Sequence, residues 1–259
     1  MGGRGGSIGG SHGMKTAASA MTPAQALVAQ IKADPSAILK MSDDDAITAF
    51  KGIAAQNVGS DEADSFVQRY LDTLGWAQRK PEILDSAAYD AAKAAAGAVD
   101  LYHADHDGYA ADGSSIKGMD CTKQYLNGAT MYSSYGIYGS GTYWAAQSAS
   151  KSAEFGDIQI KSFLNKKAKT VTKDELANLV HDFKTSHPKA YDYLCWDTKN
   201  GYGGESEVCY SVIAAAHGYN AILAHGSLQP KKYVVTLDRS ATTVCSTIKT
   251  DATYGMNNW

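Results

Sequence analysis

Residues 135–155 read YGIYGSGTYWAAQSASKSAEF, and the rest of the chain is interpreted outward from them. Glycines at 136, 139 and 141 lie close together, which costs backbone entropy and supplies no side-chain packing. Such a run is typical of main chain that bends sharply or comes close to a ligand or another strand. It leads into a short aromatic strand, predicted over 142–145. Tyr143 and Trp144 leave opposite faces of a strand, so one is expected to face a cleft and the other the core.

The composition is that of an ordinary soluble globular protein. The chain has 259 residues, of which 44% are hydrophobic and 20% are charged, enough for one or two domains with a sizeable core. A net charge of −3 gives no basic field for nucleic acid or an anionic membrane, so neither is expected as a partner. No stretch reaches the ~18 apolar residues that span a bilayer. The glycine-rich start lacks the apolar segment of a secretory signal.

Four cysteines, at positions 121, 195, 209 and 245, are far apart and form no CxxC pair. Free buried thiols in a reducing compartment are the favoured interpretation, which agrees with a cytoplasmic location. Two disulfides stay open as the alternative if the protein is exported.

The N-terminal third divides into two predicted regions. Residues 1–20 are rich in Gly and Ser and are expected to form a flexible tail; no strand precedes their glycines, as a phosphate loop would require. Residues 21–97 carry the start and stop signals of four helices. These signals are a T-x-x-Q capping box at 22–25, caps at Ser42, Ser60 and Asp85, and stops at Gly75 and Gly97. We interpret this region as a helical module with a structural or docking role.

Residues 98–259 show a mixed pattern and are predicted to form an α+β domain with several short strands and few helices. Strands are predicted over 98–104, 142–145, 219–223, 231–237 and 242–248, a strand and turn over 163–171, helices over 120–126, 173–186 and 206–217, and an aromatic loop over 191–202.

Four features occur in a fixed order in this second half. They are a strand that ends in Tyr-His (LYHA, 101–104), the glycine turn with GTYWA (141–145), SKSAEF (150–155) and the strand YVV (233–235). In this order they resemble the ADP-ribosyltransferase-like superfamily. The wording is closest to the poly(ADP-ribose) polymerase branch, whose motif reads roughly GKGIYFA…SKSANY. From Lys80 to Val244 the chain also resembles ADP-ribosyltransferases of phages and prophages.

The resemblance implies a fold and an activity. The fold would be an N-terminal helical module followed by a split β-sheet domain. The activity would be mono-ADP-ribosyl transfer, with NAD as the substrate and a protein or small molecule as the acceptor, in a bacterial host cytoplasm or in a virion. By the same resemblance, His103 and Tyr143 are catalytic residues: His103 contacts the adenosine ribose of NAD, and Tyr143 and Phe155 sandwich the nicotinamide ring. Ser152 binds the carboxamide, Gly141 gives the close backbone approach, and Thr142 also contacts NAD.

One position departs from the family pattern. Lys232 stands where the family has a Glu that stabilises a positively charged transition state, and a cation there should raise the barrier. Losing one such contact typically costs ~10²–10³ in rate. Glu207, in an E-x-E pair with Glu205, is the reserve catalytic residue, although two acids at a helix N-terminus are also explained by the helix dipole. An NAD glycohydrolase and a catalytically impaired structural or NAD-binding protein therefore stay open.

Other chemistry has weaker support. His103, Asp105, His106, Asp107 and Asp112 could ligate a metal ion, but they do not match the EF-hand pattern, and a solvated polar loop explains them. No metal is expected. The pattern G-x-S-x-G occurs only in the glycine-rich start, at 5–9 and 9–13, where no strand precedes it as a nucleophile elbow requires, and the chain has no nucleotide P-loop.

Overall fold

A computed structural model describes residues 21–56, 65–76, 78–109, 115–128, 141–196, 207–230 and 232–250. The tail predicted at 1–20, the turn at Gly136 and Gly139, and the cap at Ser60 lie outside these residues. Within the described ranges the chain is mixed α/β, with one mixed eight-stranded sheet, which agrees with the α+β class.

The helices are α1 (Pro23–Ala33), α2 (Asp43–Ala54), α3 (Ser65–Thr73), α4 (Ser86–Ala96), α5 (Gly118–Asn127), α6 (Ala149–Ser152), α7 (Lys173–Ser186), α8 (Pro188–Trp196) and α9 (Glu207–Ala216). Short 3₁₀ helices span Pro35–Lys40 and Arg239–Ala241. The strands are β1 (Glu82–Leu84), β2 (Leu101–Asp105), β3 (Gly108–Tyr109), β4 (Ser115–Ile116), β5 (Thr142–Ala146), β6 (Ile158–Leu164), β7 (Thr170–Thr172), β8 (Ala221–Leu223), β9 (Tyr233–Thr236) and β10 (Thr242–Cys245).

Four of the nine described α-helices start where the capping residues predict. Thr22 and Thr172 each form a full capping box, with the N3 residue bonded back to the cap. Ser42 and Asp85 accept a hydrogen bond from the N3 amide of α2 and α4. Gly97 ends α4 with φ at +59°, a left-handed conformation that glycine adopts without strain.

The large sheet has the order β1-β10-β6-β2-β5-β9-β8-β7. The outermost pairs, β1 with β10 and β7 with β8, are parallel, and the other pairs are antiparallel. The ladder between β2 and β5 has two residue pairs, Leu101 with Ala146 and Tyr102 with Ala145. By contrast, β2 is paired with β6 along its whole length. The middle of the sheet is therefore held by a short ladder next to the predicted site.

Helices cover both faces of the sheet. Val235 and Leu237 belong to a buried cluster with apolar residues of α1–α3 and α7–α9. On the opposite face, Trp144 and Val234 pack with Tyr125 of α5. None of the helices within the described ranges combines the length and apolar character that a bilayer span requires.

Two predictions in the second half of the chain are wrong in detail. The aromatic loop predicted over 191–202 is helical in its described part, because Pro188 ends α7 and also begins α8, whose first turn tolerates proline. The strand and turn predicted over 163–171 miss most of β6. Ser162 is a buried polar residue in β6 at a position where the alternation of Ile158 and Ile160 calls for an apolar one, so it interrupts the pattern by which a strand is recognised.

Candidate functional site

His103 lies in β2 at the point where the ladder to β5 ends. Its Nδ1 donates a hydrogen bond to the main-chain carbonyl of Tyr143, at 2.8 Å. Its Nε2 lies 3.1 Å from Oδ1 of Asp105, two residues further along the same strand. The imidazole therefore continues the link between β2 and β5 after the main-chain ladder has stopped.

The partners of His103 favour its charged form. A carbonyl and a carboxylate both accept hydrogen bonds, so only the imidazolium, with two N–H groups, satisfies both. Burial lowers the pKa of His103, but the charge and hydrogen bond of Asp105 and the bond to Tyr143 outweigh it and raise that pKa above its ordinary value. Burial raises the pKa of Asp105, yet His103 and the Thr122 hydroxyl, 2.6 Å from Oδ2, together hold it below its usual range.

This pairing changes the expectation for His103. Its side chain is 14% exposed and that of Asp105 is 7% exposed, so water screens the pair little. Both ring nitrogens already have acceptors within the protein. His103 can therefore donate to a ribose hydroxyl only if its contact with Asp105 or with the Tyr143 carbonyl opens.

Tyr143 and Phe155 are brought together through a third ring, that of Tyr233. The ring centroids of Tyr143 and Tyr233 are 6.3 Å apart at 66°, and those of Phe155 and Tyr233 are 6.3 Å apart at 72°. Tyr233 lies opposite Ala145 in the β5–β9 ladder, so it is a diagonal neighbour of Tyr143, and the small alanine leaves room for its ring. Phe155 is 54% exposed, and we call the three residues the aromatic triad.

The triad and His103 approach β5 from different sides. The His103 ring contacts Trp144, with centroids 5.4 Å apart, whereas Tyr143 leaves the other face of the strand by alternation. The only hydrogen bond that joins His103 to Tyr143 among the described atoms uses the Tyr143 main chain. A ligand that touches both groups must therefore lie at the end of the short β2–β5 ladder.

Ser152 lies beside the triad and carries an unsatisfied polar group. Its carbonyl accepts a bond from the Phe155 amide, at 2.9 Å, so the two residues share one turn. Ser152 is 2% exposed, and its hydroxyl has no hydrogen-bond partner within the described part of the chain. The same holds for the buried hydroxyl of Thr142. Buried hydroxyls are normally bonded, so these two need an explanation.

Gly141 has a structural role at its predicted place. A Cβ at this position would lie 2.7 Å from the Thr236 carbonyl oxygen and 2.8 Å from Cγ1 of Val235. Main chain and side chains of β9 therefore come close to Gly141, and the NAD-binding role of Gly141 stays a prediction.

A cation lies at the edge of the triad. Lys151 forms an ion pair with Glu154, and that hydrogen bond, with a smaller contribution from the Tyr233 hydroxyl, raises the pKa of Lys151. Sequence reasoning missed both Lys151 and Tyr233. Tyr233 could have been found from its position next to Lys232, at the start of the YVV strand.

Lys232 directly precedes β9, and its carbonyl accepts a 2.7 Å bond from the Ala146 amide. Because neighbouring residues alternate, its side chain leaves the strand on the face opposite Tyr233. Burial lowers the pKa of His225, and the charge of Lys232 lowers it further. His225 lines a cavity of about 350 Å³ together with Lys173, Asp174, Ala224 and Gly226.

Glu207 begins α9, but its side chain and the whole of Glu205 lie outside the described structure, so their catalytic role stays a prediction. Two of the residues proposed as alternative metal ligands, His106 and Asp107, form bonds to other parts of the chain. His106 Nδ1 bonds the Phe155 carbonyl at 2.9 Å, and Asp107 pairs with Lys117. Among the described residues no group of three His, Cys, Asp or Glu could hold a metal ion; Asp112 is not described.

A scan against protein-family models, a search of curated proteins and a search of solved structures each found no match to the chain. The interpretation of the site therefore depends on its geometry and chemistry.

Proposed function

We propose that the chain binds NAD with the nicotinamide ring against the aromatic triad and transfers ADP-ribose to a protein or small-molecule nucleophile. The observation that carries this proposal is the buried hydroxyl of Ser152, which has no hydrogen-bond partner among the described residues and lies in the same turn as the exposed ring of Phe155. A pyridinium carboxamide has a flat, electron-poor ring and an amide that both donates and accepts hydrogen bonds. The flat ring matches the aromatic triad, and the amide matches the hydroxyl of Ser152.

The sheet supports this placement. The β2–β5 ladder ends after two residue pairs, and the chains beyond it are joined by the His103 side chain. An ADP-ribosyltransferase-like split sheet would open at such a place, with the aromatic triad on one side and the His103–Asp105 pair on the other. The adenosine ribose of NAD would then lie closest to His103, as the resemblance implies.

The reaction exchanges one bond for another at the anomeric carbon. The bond between C1′ and the pyridine nitrogen breaks, the nitrogen keeps the electron pair, and neutral nicotinamide leaves. The acceptor donates an electron pair to C1′ and loses its proton. Stacking and the Ser152 hydroxyl hold the leaving group, while positive charge develops on the sugar. Because Asp105 is already bonded to His103 and Thr122, we assign stabilisation of that charge to Glu207.

A second candidate function is NAD binding without transfer, which Lys232 favours. Its charge replaces the carboxylate expected before β9, although alternation directs it to the face opposite Tyr233. In this second function the chain binds NAD but does not transfer ADP-ribose. An NAD glycohydrolase would differ from the transferase only in using water as the acceptor.

The test compares two variants with the same chemical change. Ser152 and Ser162 both carry buried hydroxyls without a partner among the described residues, but Ser162 lies in β6, paired with Leu101 and Val244. We expect Ser152→Ala to weaken NAD binding by about three- to tenfold, the worth of one hydrogen bond, and Ser162→Ala to leave it unchanged. Titration calorimetry with NAD measures both.

Free nicotinamide and labelled acceptor then separate the functions. Release that is lost in Phe155→Ala supports an enzyme, because that exposed ring can be truncated without opening the core. Labelling of an acceptor indicates transferase, and release without labelling indicates hydrolase. Binding without release supports the second function. No NAD binding by the wild-type chain at millimolar concentration would overturn both.

A further inference from the structure

Two thiols touch inside the helical layer, where the end of α8 meets the start of α9. The Sγ atoms of Cys195 and Cys209 are 3.5 Å apart. Cys195 is the penultimate residue of α8 and Cys209 lies in the first turn of α9. Both side chains are buried, at 4% and 0% exposure.

The surroundings hold the two sulfurs together. Both cysteines belong to the buried cluster that also contains Leu194, Val212 and Ile213, so the ends of α8 and α9 are packed against each other by apolar contacts. A disulfide bond has an S–S length of about 2.05 Å. Sulfurs already in van der Waals contact are brought towards that length by rotation of the two side chains.

We propose that Cys195 and Cys209 form a specific disulfide when the chain meets a low-molecular-weight disulfide oxidant such as oxidised glutathione. The two thiols lose two electrons and two protons, one protein S–S bond forms, and the S–S bond of the oxidant breaks to give two thiols. The cross-link ties α8 to α9 across residues 197–206. This inference does not depend on the proposed NAD chemistry.

The other two cysteines are held elsewhere. Cys245 lies in β10, in a small cluster with Tyr89 and Phe163, and its sulfur is 3.5 Å from the Ser86 hydroxyl. Cys121 is in α5, on the sheet face that packs with Trp144 through Tyr125 of the same helix. The fold therefore selects one pair of the four cysteines.

The contact between the two thiols also slows their oxidation, because it lowers the fraction of thiolate. The hydrogen bond with Cys195 and, next, burial raise the pKa of Cys209 well above its usual value. A thiol is a far weaker nucleophile than a thiolate, so exchange in the folded protein is expected to be slow and to accelerate as the pH rises.

The experiment uses the complete chain, fully reduced. One sample is kept folded in a glutathione redox buffer, and a second is refolded from urea in that buffer; both are then alkylated and digested with trypsin. Cleavage after Lys117, Lys123, Lys189, Lys199, Lys231, Arg239 and Lys249 places each cysteine on its own peptide. We expect the peptides of Cys195 and Cys209 to be joined. Before alkylation, the mass of the undigested chain should be lower by two hydrogen atoms than that of the reduced chain.

Matched variants show whether the pair is specific. Cys195→Ala and Cys209→Ala should each abolish the cross-link, whereas Cys121→Ala and Cys245→Ala should keep it; circular dichroism checks folding. If a variant does not fold, the peptide map of the wild-type chain decides alone. Absence of the joined peptides in both samples, at a redox poise that oxidises a reference dithiol, overturns the proposal. So does a cross-link distributed evenly over other cysteine pairs.

Discussion

Asp105→Asn tests the buried pair on which the site geometry depends. The substitution keeps the size and shape of the side chain and removes its charge. In the wild-type chain the two carboxylate oxygens accept from the ring of His103, at 3.1 Å, and from the hydroxyl of Thr122, at 2.6 Å. Asparagine can still meet both groups, but only through neutral hydrogen bonds.

The size of the effect follows from those two bonds. A hydrogen bond to a charged group contributes about 1.5–3 kcal/mol and a neutral one about 0.5–1.5 kcal/mol. Replacing two charged bonds by two neutral ones should therefore lower the free energy of unfolding by about 2 kcal/mol. Asp105→Ala should cost more, about 3–5 kcal/mol, because it leaves the buried imidazolium without its partner.

The dependence on pH has a definite sign. The pKa of folded His103 is raised, so its stabilisation is complete below the unfolded value of about 6.5 and is lost as the pH rises through the folded value. The pKa of folded Asp105 is lowered, so its stabilisation is present above about 3.9 and is lost as the pH falls through the folded value. The penalty of Asp105→Asn should thus be largest near pH 5.5 and smaller near pH 9.

Urea unfolding followed by circular dichroism at the two pH values measures this difference, with a change in midpoint at constant slope. Asp44→Asn is the matched control, since its ion pair with Lys189 is exposed, and we expect no measurable loss. If Asp105→Asn behaves like Asp44→Asn, or loses equal free energy at both pH values, then His103 and Asp105 do not form an ion pair.

Three further substitutions test contacts that position the site, and thermal unfolding measures each. Arg79→Ala removes the 2.6 Å ion pair to buried Asp238 and should cost about 1–3 kcal/mol, with partial recovery in Arg79→Lys; an unchanged melting temperature would contradict this. Gly156→Ala would place a Cβ 2.1 Å from the Asp105 carbonyl oxygen, so the turn after Phe155 must shift, at about 3 kcal/mol or more; full stability would show that the approach is looser. Trp144→Phe removes the 3.0 Å bond from Nε1 to Thr236 Oγ1 and should cost about 0.5–1.5 kcal/mol, because the Thr236 hydroxyl keeps its bond to the Thr142 carbonyl; no shift in melting temperature would show that the indole bond adds no stability.

Local signals in the sequence predicted local structure well. The capping residues Thr22, Ser42, Asp85 and Thr172 act through bonds to residues at most three positions away, so they determine the helix starts without knowledge of the fold. The sheet is different. The order of its strands and its buried polar residues depend on contacts between distant segments, and the buried Ser162 interrupts the alternation of β6 for that reason.

In the candidate site, too, some residues could be predicted from local sequence and others depend on contacts between distant strands. Asp105 could have been found from sequence, because it lies two positions after His103 on the same strand face. Tyr233 could not be placed against Tyr143 without the β5–β9 register, which puts Ala145 opposite it. Lys151 reaches the Tyr233 hydroxyl only because α6 follows β5 closely. The sequence motif therefore indicates the candidate residues, whereas the register of the strands determines which of their side chains are in contact.

The two proposed functions, ADP-ribosyl transfer and NAD binding alone, make different demands on the start of β9. Sequence reasoning placed Lys232 in the catalytic position, where its charge would oppose the reaction. The register instead gives Tyr233 to the aromatic triad and directs Lys232 to the other face, towards His225. If the nicotinamide lies on the triad, Lys232→Glu should change nicotinamide release little. If the sugar crosses to the face of His103, that substitution should raise release strongly, because it would restore a carboxylate beside the developing charge.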